Sequence, residues 1–208
     1  MQGGQSGDNK TRMSMAFDQD AELSDDALLQ LYANGDQSAA RLLTLRLAPR
    51  AYAQAFRILG SAADAEDVAQ DAMMRVWKIA PDWRMGEAKV TTWLYRVTAN
   101  LCTDRLRKAR GTSLDAIEEP ADDAPSVVDV MQQNARQDAL QDALMQLPER
   151  QRQAVVLRHI EELPNPEIAE VMQISVEAVE SLTSRGKRAL AGLLKRRKAA
   201  LGFEGETQ

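Results

Sequence analysis

The chain has 208 residues, of which 44% are hydrophobic and 27% charged, and its formal net charge is −5. No apolar run reaches the ~18 residues of a membrane-spanning helix, and the N-terminus lacks the apolar centre of a signal peptide, so we expect a cytoplasmic protein without membrane insertion. The single cysteine, Cys102, rules out an internal disulfide, and the single histidine, His159, without a second soft ligand nearby, argues against a zinc site.

The N-terminal part is predicted to contain a polar tail followed by two helices. Residues 1–23 have little to bury and are expected to be a disordered tail, in which a later methionine is a possible true start. A first helix is predicted over Asp25–Asn34 with Ser24 as its cap, and a second over about Ser38–Leu59. Pro49 is expected to kink or divide the second helix. Its inward-facing residues are predicted to be Leu42, Leu45, Ala48, Tyr52, Ala55, Phe56 and Leu59.

A third helix is predicted to begin at Ser61, after Gly60. Its buried stripe consists of Ala65, Val68, Ala72, Val76 and Ile79. The acidic residues of its first turn suit a helix N-terminus and require no partner. That explanation does not cover Met73 and Trp77, which lie beside Gln70 outside the stripe. An aromatic residue and a methionine among polar neighbours indicate a protein-docking surface.

The stretch Thr91–Arg110 predicts a helix with two distinct faces. Helical spacing predicts a buried stripe of Val90, Leu94, Val97 and Leu101, and Cys102 is expected to be a small core residue. A neighbouring face combines an indole, an amide and guanidinium groups, which suits phosphates and unpaired bases; it consists of Trp93, Arg96, Asn100, Thr103 and Arg107. The alternative is that Trp93 and Tyr95 pack into a core while the basic residues are solvated at a helix end.

The loop Pro81–Ala88 precedes this helix, with Gly86 as its pivot, and is a place where an extruded base could be held. Basic residues are concentrated in two blocks, although the whole chain is acidic. The first block is Arg84–Arg110, and the second is Arg185–Lys198, which has seven bases and no acid. Two such blocks indicate two separate phosphate-facing surfaces.

An acidic segment with two prolines, residues 111–137, is predicted to be an extended linker to a second domain. With nothing apolar to fix it, the two domains are expected to adopt many relative positions when no partner is bound. The second domain is predicted to begin with helices near Asp138–Gln146 and Glu149–Ile160. Asn165 is expected to cap a short helix and Ser175 a second one, across the turn Gln173–Ser175. This pattern is typical of a helix-turn-helix, although a plain helical hairpin is an alternative.

Taken together, these segments resemble a bacterial RNA polymerase sigma factor of the extracytoplasmic-function (ECF) type. Residues 64–78, DAEDVAQDAMMRVWK, resemble the family's polymerase-binding helix, and residues 91–110 its promoter-melting helix. Residues 147–182 resemble its second domain with the helix-turn-helix. The resemblance implies an all-α fold of two small helical domains joined by a flexible acidic linker. Its expected parts are region 2 over residues 24–110, the linker over 111–137, region 4 over 138–198 and a tail over 199–208.

The resemblance also implies partners and site residues. The expected partners are core RNA polymerase, through its β′ clamp and β subunits, promoter DNA and an anti-sigma factor. Polymerase binding is assigned to Asp64, Glu66, Asp67, Gln70, Asp71 and Trp77. Recognition and melting of the −10 element are assigned to Trp93, Arg96, Asn100, Arg105, Arg107 and Lys108. Reading of the −35 element is assigned to Ser175, Glu177, Ala178, Ser181, Arg185, Lys187 and Arg188.

Two residues of the second domain depart from the family's usual recognition helix. Glu180 repels phosphate, and Leu182 cannot make a bidentate contact with guanine, so the −35 sequence is left open. The left-handed position of the turn is Gln173 where glycine is usual, at a cost of ~1 kcal/mol.

Nothing resembles a catalytic triad, a phosphate loop or a metal site, so we expect no enzyme activity, cofactor, metal or small-molecule substrate. A sigma mimic that binds an anti-sigma protein without touching DNA is an alternative. A stand-alone helix-turn-helix repressor would leave the first domain unexplained. The inducing signal, the regulon, the promoter sequence and the identity of the anti-sigma factor do not follow from the residues.

Overall fold

The computed structural model describes the backbone of residues 23–112 and 128–200 and the side chains of residues 23–109 and 137–196. Within those ranges all regular structure is helical, which confirms the all-α class. Residues 1–22 and 201–208 of the predicted tails and residues 113–127 of the predicted linker lie outside the described residues, and the backbone of residues 199 and 200 belongs to the last helix. The helices are α1 (Asp25–Ala33), α2 (Gln37–Leu59), α3 (Ala62–Ile79), α4 (Val90–Thr112), α5 (Val128–Met145), α6 (Glu149–His159), α7 (Asn165–Met172) and α8 (Val176–Ala200).

Helices α1–α4 form the first domain, with α2 packed against the other three. Three of these helices start where a side chain accepts a hydrogen bond from the free N–H groups of the first turn, namely at Ser24, Asp36 and Ser61. The core is a continuous apolar cluster from all four helices. Of the stripe predicted on α4, Val90, Leu94 and Val97 are buried, and Cys102 is fully buried as predicted.

Helix α2 is one continuous helix with Pro49 inside it, so the proline does not divide it. Its inward face differs from the predicted one. Its buried face consists of Leu43, Leu47, Ala51 and their helical neighbours, whereas Leu45 is 66% exposed. Because Pro49 lacks the N–H that would bond to the carbonyl of Leu45, one helical hydrogen bond is missing at a residue that is exposed to solvent.

Helices α5–α8 form the second domain, and α7 and α8 form the predicted helix-turn-helix. Gln173 adopts the left-handed conformation with φ 53° and ψ 49°, and the Ser175 hydroxyl accepts a hydrogen bond from the Ala178 N–H at 3.2 Å. The prediction that Asn165 caps α7 was wrong, because Asn165 is already helical and Pro164 occupies the cap position. Helix α5 begins at Val128, so residues 128–137, predicted to belong to the linker, are helical.

In this structure the two domains pack against each other, a contact that the linker sequence does not predict. Helix α4 contacts α7, and helix α2 contacts α5 and α6. Tyr95 and Ala99 of α4 are buried in the same apolar cluster as residues of α6, α7 and α8. The surfaces of the two domains, and not the linker alone, therefore take part in this arrangement.

Two glycines of α8 provide a matched test of core packing. A Cβ at Gly186 would meet Val155 Cγ2 at 2.6 Å and the Gln151 carbonyl oxygen at 3.1 Å, whereas a Cβ at Gly192 meets nothing within 4 Å. Gly186→Ala is therefore expected to lower the free energy of unfolding by about 1–3 kcal/mol through overpacking. Gly192→Ala is expected to raise it by roughly 0.5–1 kcal/mol through helix propensity. Thermal melts followed by far-ultraviolet circular dichroism would measure both, and equal effects of the two substitutions would contradict the packing.

Candidate nucleic-acid and polymerase interfaces

The face of α4 predicted to contact nucleic acid is largely open to solvent. Arg96, Asn100, Arg107 and Lys108 are exposed, and Trp93 is half-buried. Arg96 and Asn100 are four residues apart and therefore lie on the same side of the helix. The alternative prediction was that Trp93 and Tyr95 pack into a core. It is correct for Tyr95, which is 8% exposed, and partly correct for Trp93, which is half-buried against the core of the first domain. The open face thus presents an amide and a guanidinium group beside the partly accessible indole of Trp93.

Asp26 of α1 connects the loop before α4 to the start of that helix, a role that sequence reasoning missed. Its Oδ1 atom accepts hydrogen bonds from Trp83 Nε1 at 3.0 Å and from the Val90 N–H at 3.1 Å. Trp83 in turn meets Trp93 edge-on, with ring centroids 6.3 Å apart. A single carboxylate therefore positions the loop, and through it the tryptophan of the candidate site. The two hydrogen bonds join residues that are 57 and 64 positions apart in the sequence, so no local sequence pattern predicts them.

A groove between α3 and α4 extends the candidate site beyond the predicted residues. It is lined by Trp93 and Val97 of α4, by Arg75, Lys78 and Ile79 of α3, and by Asp82. Cations beside an indole match what phosphate binding and base stacking require. Sequence reasoning did not place Arg75, Lys78 or Asp82 at this site. Only the packing of α3 against α4 brings these residues to the indole.

Arg105 joins the residues predicted for the two different partners. Its guanidinium donates to the carboxylate of Asp64 and, at 2.9 Å, to Asp67 Oδ2. These hydrogen bonds raise the pKa of Arg105 further above its usual range, with the bond to Asp67 as the largest cause. Arg107 is paired with Asp104 at 2.9 Å on its own helix. In this state, Arg105 is engaged by carboxylates of α3.

The surface of α3 that was predicted to dock a protein is only partly exposed. Glu66, Gln70 and Asp71 are exposed, but Met73 is 6% exposed and belongs to the core. Trp77 is half-buried and packs edge-on against Tyr32, with centroids 4.7 Å apart. The methionine that faces solvent is Met74, which is 62% exposed and lies one turn after Gln70. Sequence reasoning missed it, because adjacent methionines give no indication of which one faces outward.

The start of α8 presents the residues predicted for base and phosphate contacts in the second domain. Ser175, Glu177, Arg185, Lys187 and Arg188 are exposed, while Ala178 and Ser181 are half-buried. The Arg185 guanidinium donates to the Ser181 hydroxyl, with the Nε atom at 3.1 Å. Hydrogen bonding from its own N–H and from Ser175 lowers the pKa of Glu177. This end of the helix is thus polar and accessible.

The departure at Leu182 has a structural reason. Leu182 packs against the apolar cluster shared by α6, α7 and α8, so its side chain contributes to folding rather than to base contact. Glu180, by contrast, is exposed.

The described residues contain no group of three or more metal-ligating side chains. Burial raises the pKa of the Cys102 thiol to about 12, so the thiol is protonated and unreactive. In the part of the chain that the structure covers, no helix is both long and apolar enough to cross a bilayer.

Comparison with known families gives two matches that follow the two domains. Residues 43–112 match Sigma-70 region 2, and residues 137–190 match Sigma-70 region 4. The chain is 30% identical to the ECF RNA polymerase sigma factor SigW of Bacillus subtilis over 167 residues, covering 75% of this chain and 89% of the relative. It is 33% identical to SigM of Mycobacterium tuberculosis over 173 residues, covering 83% and 86%.

Solved structures show the same fold. CnrH in complex with the cytosolic domain of CnrY is similar with a TM-score of 0.60 and 28% identity, covering 83% of this chain and 97% of that one. The sigma factor RpoE in complex with the anti-sigma factor NepR from Bartonella quintana is similar with a TM-score of 0.62 and 24% identity, covering 74% and 96%. With both sigma regions matched in order and in fold, the chain belongs to the ECF family of RNA polymerase sigma factors, which direct the polymerase to promoters and are not enzymes.

Proposed function

We propose that the first domain binds core polymerase through the exposed face of α3 and opens the −10 element with the exposed face of α4. The observation that carries this proposal is the groove between these two helices, where Arg75 and Lys78 lie beside Trp93. Next to it, Asn100 offers an amide that both donates and accepts hydrogen bonds, as recognition of an unpaired base requires. Arg96 and Lys108 add positive charge for the phosphates.

The second domain is proposed to read the −35 element with the first turns of α8. Ser175, Glu177, Ala178 and Ser181 lie at the start of the helix, where a groove-entering helix contacts base edges. Arg185, Lys187 and Arg188 follow one to three turns later and are placed for the phosphate backbone. Glu180 lies in the same part of α8, and its carboxylate is proposed to disfavour DNA sites that would bring a phosphate close to it.

An anti-sigma factor is proposed as the regulator, acting on a cytoplasmic protein. Support comes from the RpoE–NepR complex, whose sigma subunit shares the fold, since its partner is an anti-sigma factor. The sigma-mimic alternative is disfavoured because Trp93, Arg96 and Asn100, the residues proposed to contact DNA, are present and the relatives are sigma factors. The overall test is to add the purified chain to core polymerase and to sequence promoter-dependent transcripts from a genomic library. Binding of an anti-sigma protein without any such transcript would support the mimic.

Asn100→Ala is expected to leave polymerase affinity unchanged and to reduce open-complex formation by about 10- to 100-fold, since one lost base contact is worth roughly 1–3 kcal/mol. Affinity for core polymerase and permanganate reactivity of unpaired thymines would be measured on the same preparations. Gln30→Ala, at an exposed amide on α1, is the matched control. Equal losses of polymerase binding and of opening would show that Asn100 has a different role.

Gln70→Ala combined with Met74→Ala is expected to weaken core polymerase binding by about 10-fold, the size of a moderate interface hot spot. Trp77 is unsuitable for this test because its contact with Tyr32 makes it part of the fold. Fluorescence anisotropy of labelled protein titrated with core polymerase would give the affinity. Gln37→Ala on α2 is the control, and an unchanged affinity of the double variant would place the docking surface elsewhere.

A further inference from the structure

The first turn of α1 carries two adjacent aspartates that serve different helices. Asp25 pairs with Arg46 and Arg50 of α2, at 3.1 and 3.3 Å between nitrogen and oxygen atoms. Asp26 turns instead towards the start of α4 and the loop before it, from which its Oδ1 atom accepts the two hydrogen bonds described above. Because Asp25 holds α1 on α2, the carboxylate of Asp26 is a fixed point for the loop and for α4.

The loop before α4 is held to the first domain through Trp83. Every residue from 81 to 89 is exposed except Trp83, whose indole is half-buried and packs against the core. Arg84 and Glu87 pair within the loop at 3.7 Å, but their side chains are 79% and 71% exposed, so this pair contributes little. The position of the loop therefore depends on Trp83, and Asp26 is the acceptor that fixes the indole of Trp83.

The start of α4 lacks a capping side chain of its own. The Lys89 carbonyl accepts the Trp93 N–H at 3.0 Å, which places Lys89 at the cap position. A lysine side chain has donors and no acceptor, so it cannot satisfy the free N–H groups of the first turn. Asp26 supplies an acceptor for the Val90 N–H from 64 positions earlier in the chain. Its negative charge also suits a helix N-terminus, so Asp26 acts as the cap of α4.

Both connections of Asp26 lead to Trp93. Through Trp83, the carboxylate reaches the Trp93 ring, because the two ring centroids lie 6.3 Å apart with the planes at 76°. Through the first turn of α4, it reaches the Trp93 backbone, which follows Val90 by less than one turn. Trp93 in turn lines the groove between α3 and α4. The orientation of the indole in the groove therefore depends on one carboxylate that lies outside the groove.

A purely structural role is the alternative for Asp26, since a hydrogen bond to a charged group stabilises a fold wherever it lies. Asp25 provides the comparison. Its ion pairs end on α2, whereas the hydrogen bonds of Asp26 end on the loop and on α4. The two aspartates therefore allow stabilisation of the domain to be separated from positioning of the groove.

We infer that Asp26 is a positioning residue for opening of the −10 element. It sets the loop Pro81–Ala88 and the indole of Trp93 before DNA arrives, so that the groove receives an unpaired base without first ordering the loop. Ordering an exposed loop costs conformational entropy, and a site formed in advance avoids that cost on binding. The inference rests on the proposed role of α4 in opening the −10 element.

The position of the loop is measured in the full chain without partners, by hydrogen exchange of backbone amides followed by mass spectrometry. Asp26→Ala is expected to speed exchange of the protected amides in residues 83–93 by about tenfold, because a charged acceptor no longer opposes local opening. Asp26→Asn is expected to stay within about twofold of the parent chain, since an amide oxygen can accept both hydrogen bonds. Asp25→Ala is the matched control, which removes the same charge one residue away and is expected to leave this exchange unchanged.

The effect on opening is measured with the same variants, reconstituted with core polymerase, on a promoter recovered from the genomic library. Asp26→Ala is expected to reduce the permanganate reactivity of unpaired thymines by about tenfold, with affinity for core polymerase unchanged. Asp26→Asn is expected to restore opening. Asp25→Ala is expected to open the promoter like the parent chain, although it also lowers the melting temperature of the protein through the loss of its ion pairs.

Trp83→Phe tests whether Asp26 acts through the indole. The phenyl ring keeps an aromatic contact with Trp93 but has no N–H to donate to Asp26. Asp26→Ala combined with Trp83→Phe is expected to lose less opening than the product of the two single losses, because both substitutions remove the same hydrogen bond. A loss equal to that product would contradict the connection through the loop.

Three results would overturn the positioning role. They are unchanged exchange in Asp26→Ala, faster exchange with unchanged opening, and equal losses of opening in Asp25→Ala and Asp26→Ala. Asn100→Ala on the same promoter separates this inference from the function on which it rests. If neither Asn100→Ala nor Asp26→Ala impairs opening, the proposed role of α4 fails, whereas impairment by Asn100→Ala alone contradicts only the role of Asp26.

Discussion

The structure depends on one helix, α4, whose faces must satisfy three different environments at once. Val90, Leu94 and Val97 anchor it in the core of the first domain. Tyr95 and Ala99 bury a second edge against the other domain, and Arg96 and Asn100 stay in water. Because 3.6 residues make one turn, these three sets lie on separate strips of the same cylinder. A rotation of α4 about its own axis would move all three sets of side chains together. Folding, domain contact and access to nucleic acid are therefore coupled through this helix.

The position of that helix is set by contacts from outside it. The carboxylate of Asp26 fixes its first residue and the preceding loop, and the Gln54 amide donates to the Tyr95 carbonyl at 3.1 Å from within α2. Arg105 ties its later turns to Asp64 and Asp67 of α3. The surface proposed for polymerase and the surface proposed for DNA are thus joined by ion pairs, so docking of one partner on α3 can alter the charge available to the other on α4.

The contact between the domains is of a kind suited to reversal. It combines a small apolar cluster with hydrogen bonds from Tyr95, Thr92 and Gln153, each of which water can replace once the domains separate. The ion pairs of Glu161 and Glu167 span 3.8–3.9 Å and reach partly exposed cations, so they contribute little net stability.

The sequence by itself determined the all-α class, the order of the helices, the helix-turn-helix with its left-handed Gln173, and the types of side chain along α4. These follow from local spacing, capping and turn chemistry, which act over a few residues. Only the tertiary structure decided that Leu45 faces water, that Met74 rather than Met73 is exposed, and that Arg75 and Lys78 lie beside Trp93. It also decided that Tyr95 is covered by the second domain. Each of these depends on how one helix packs against another distant in the chain, and helical periodicity alone does not distinguish between neighbouring faces that are both partly apolar.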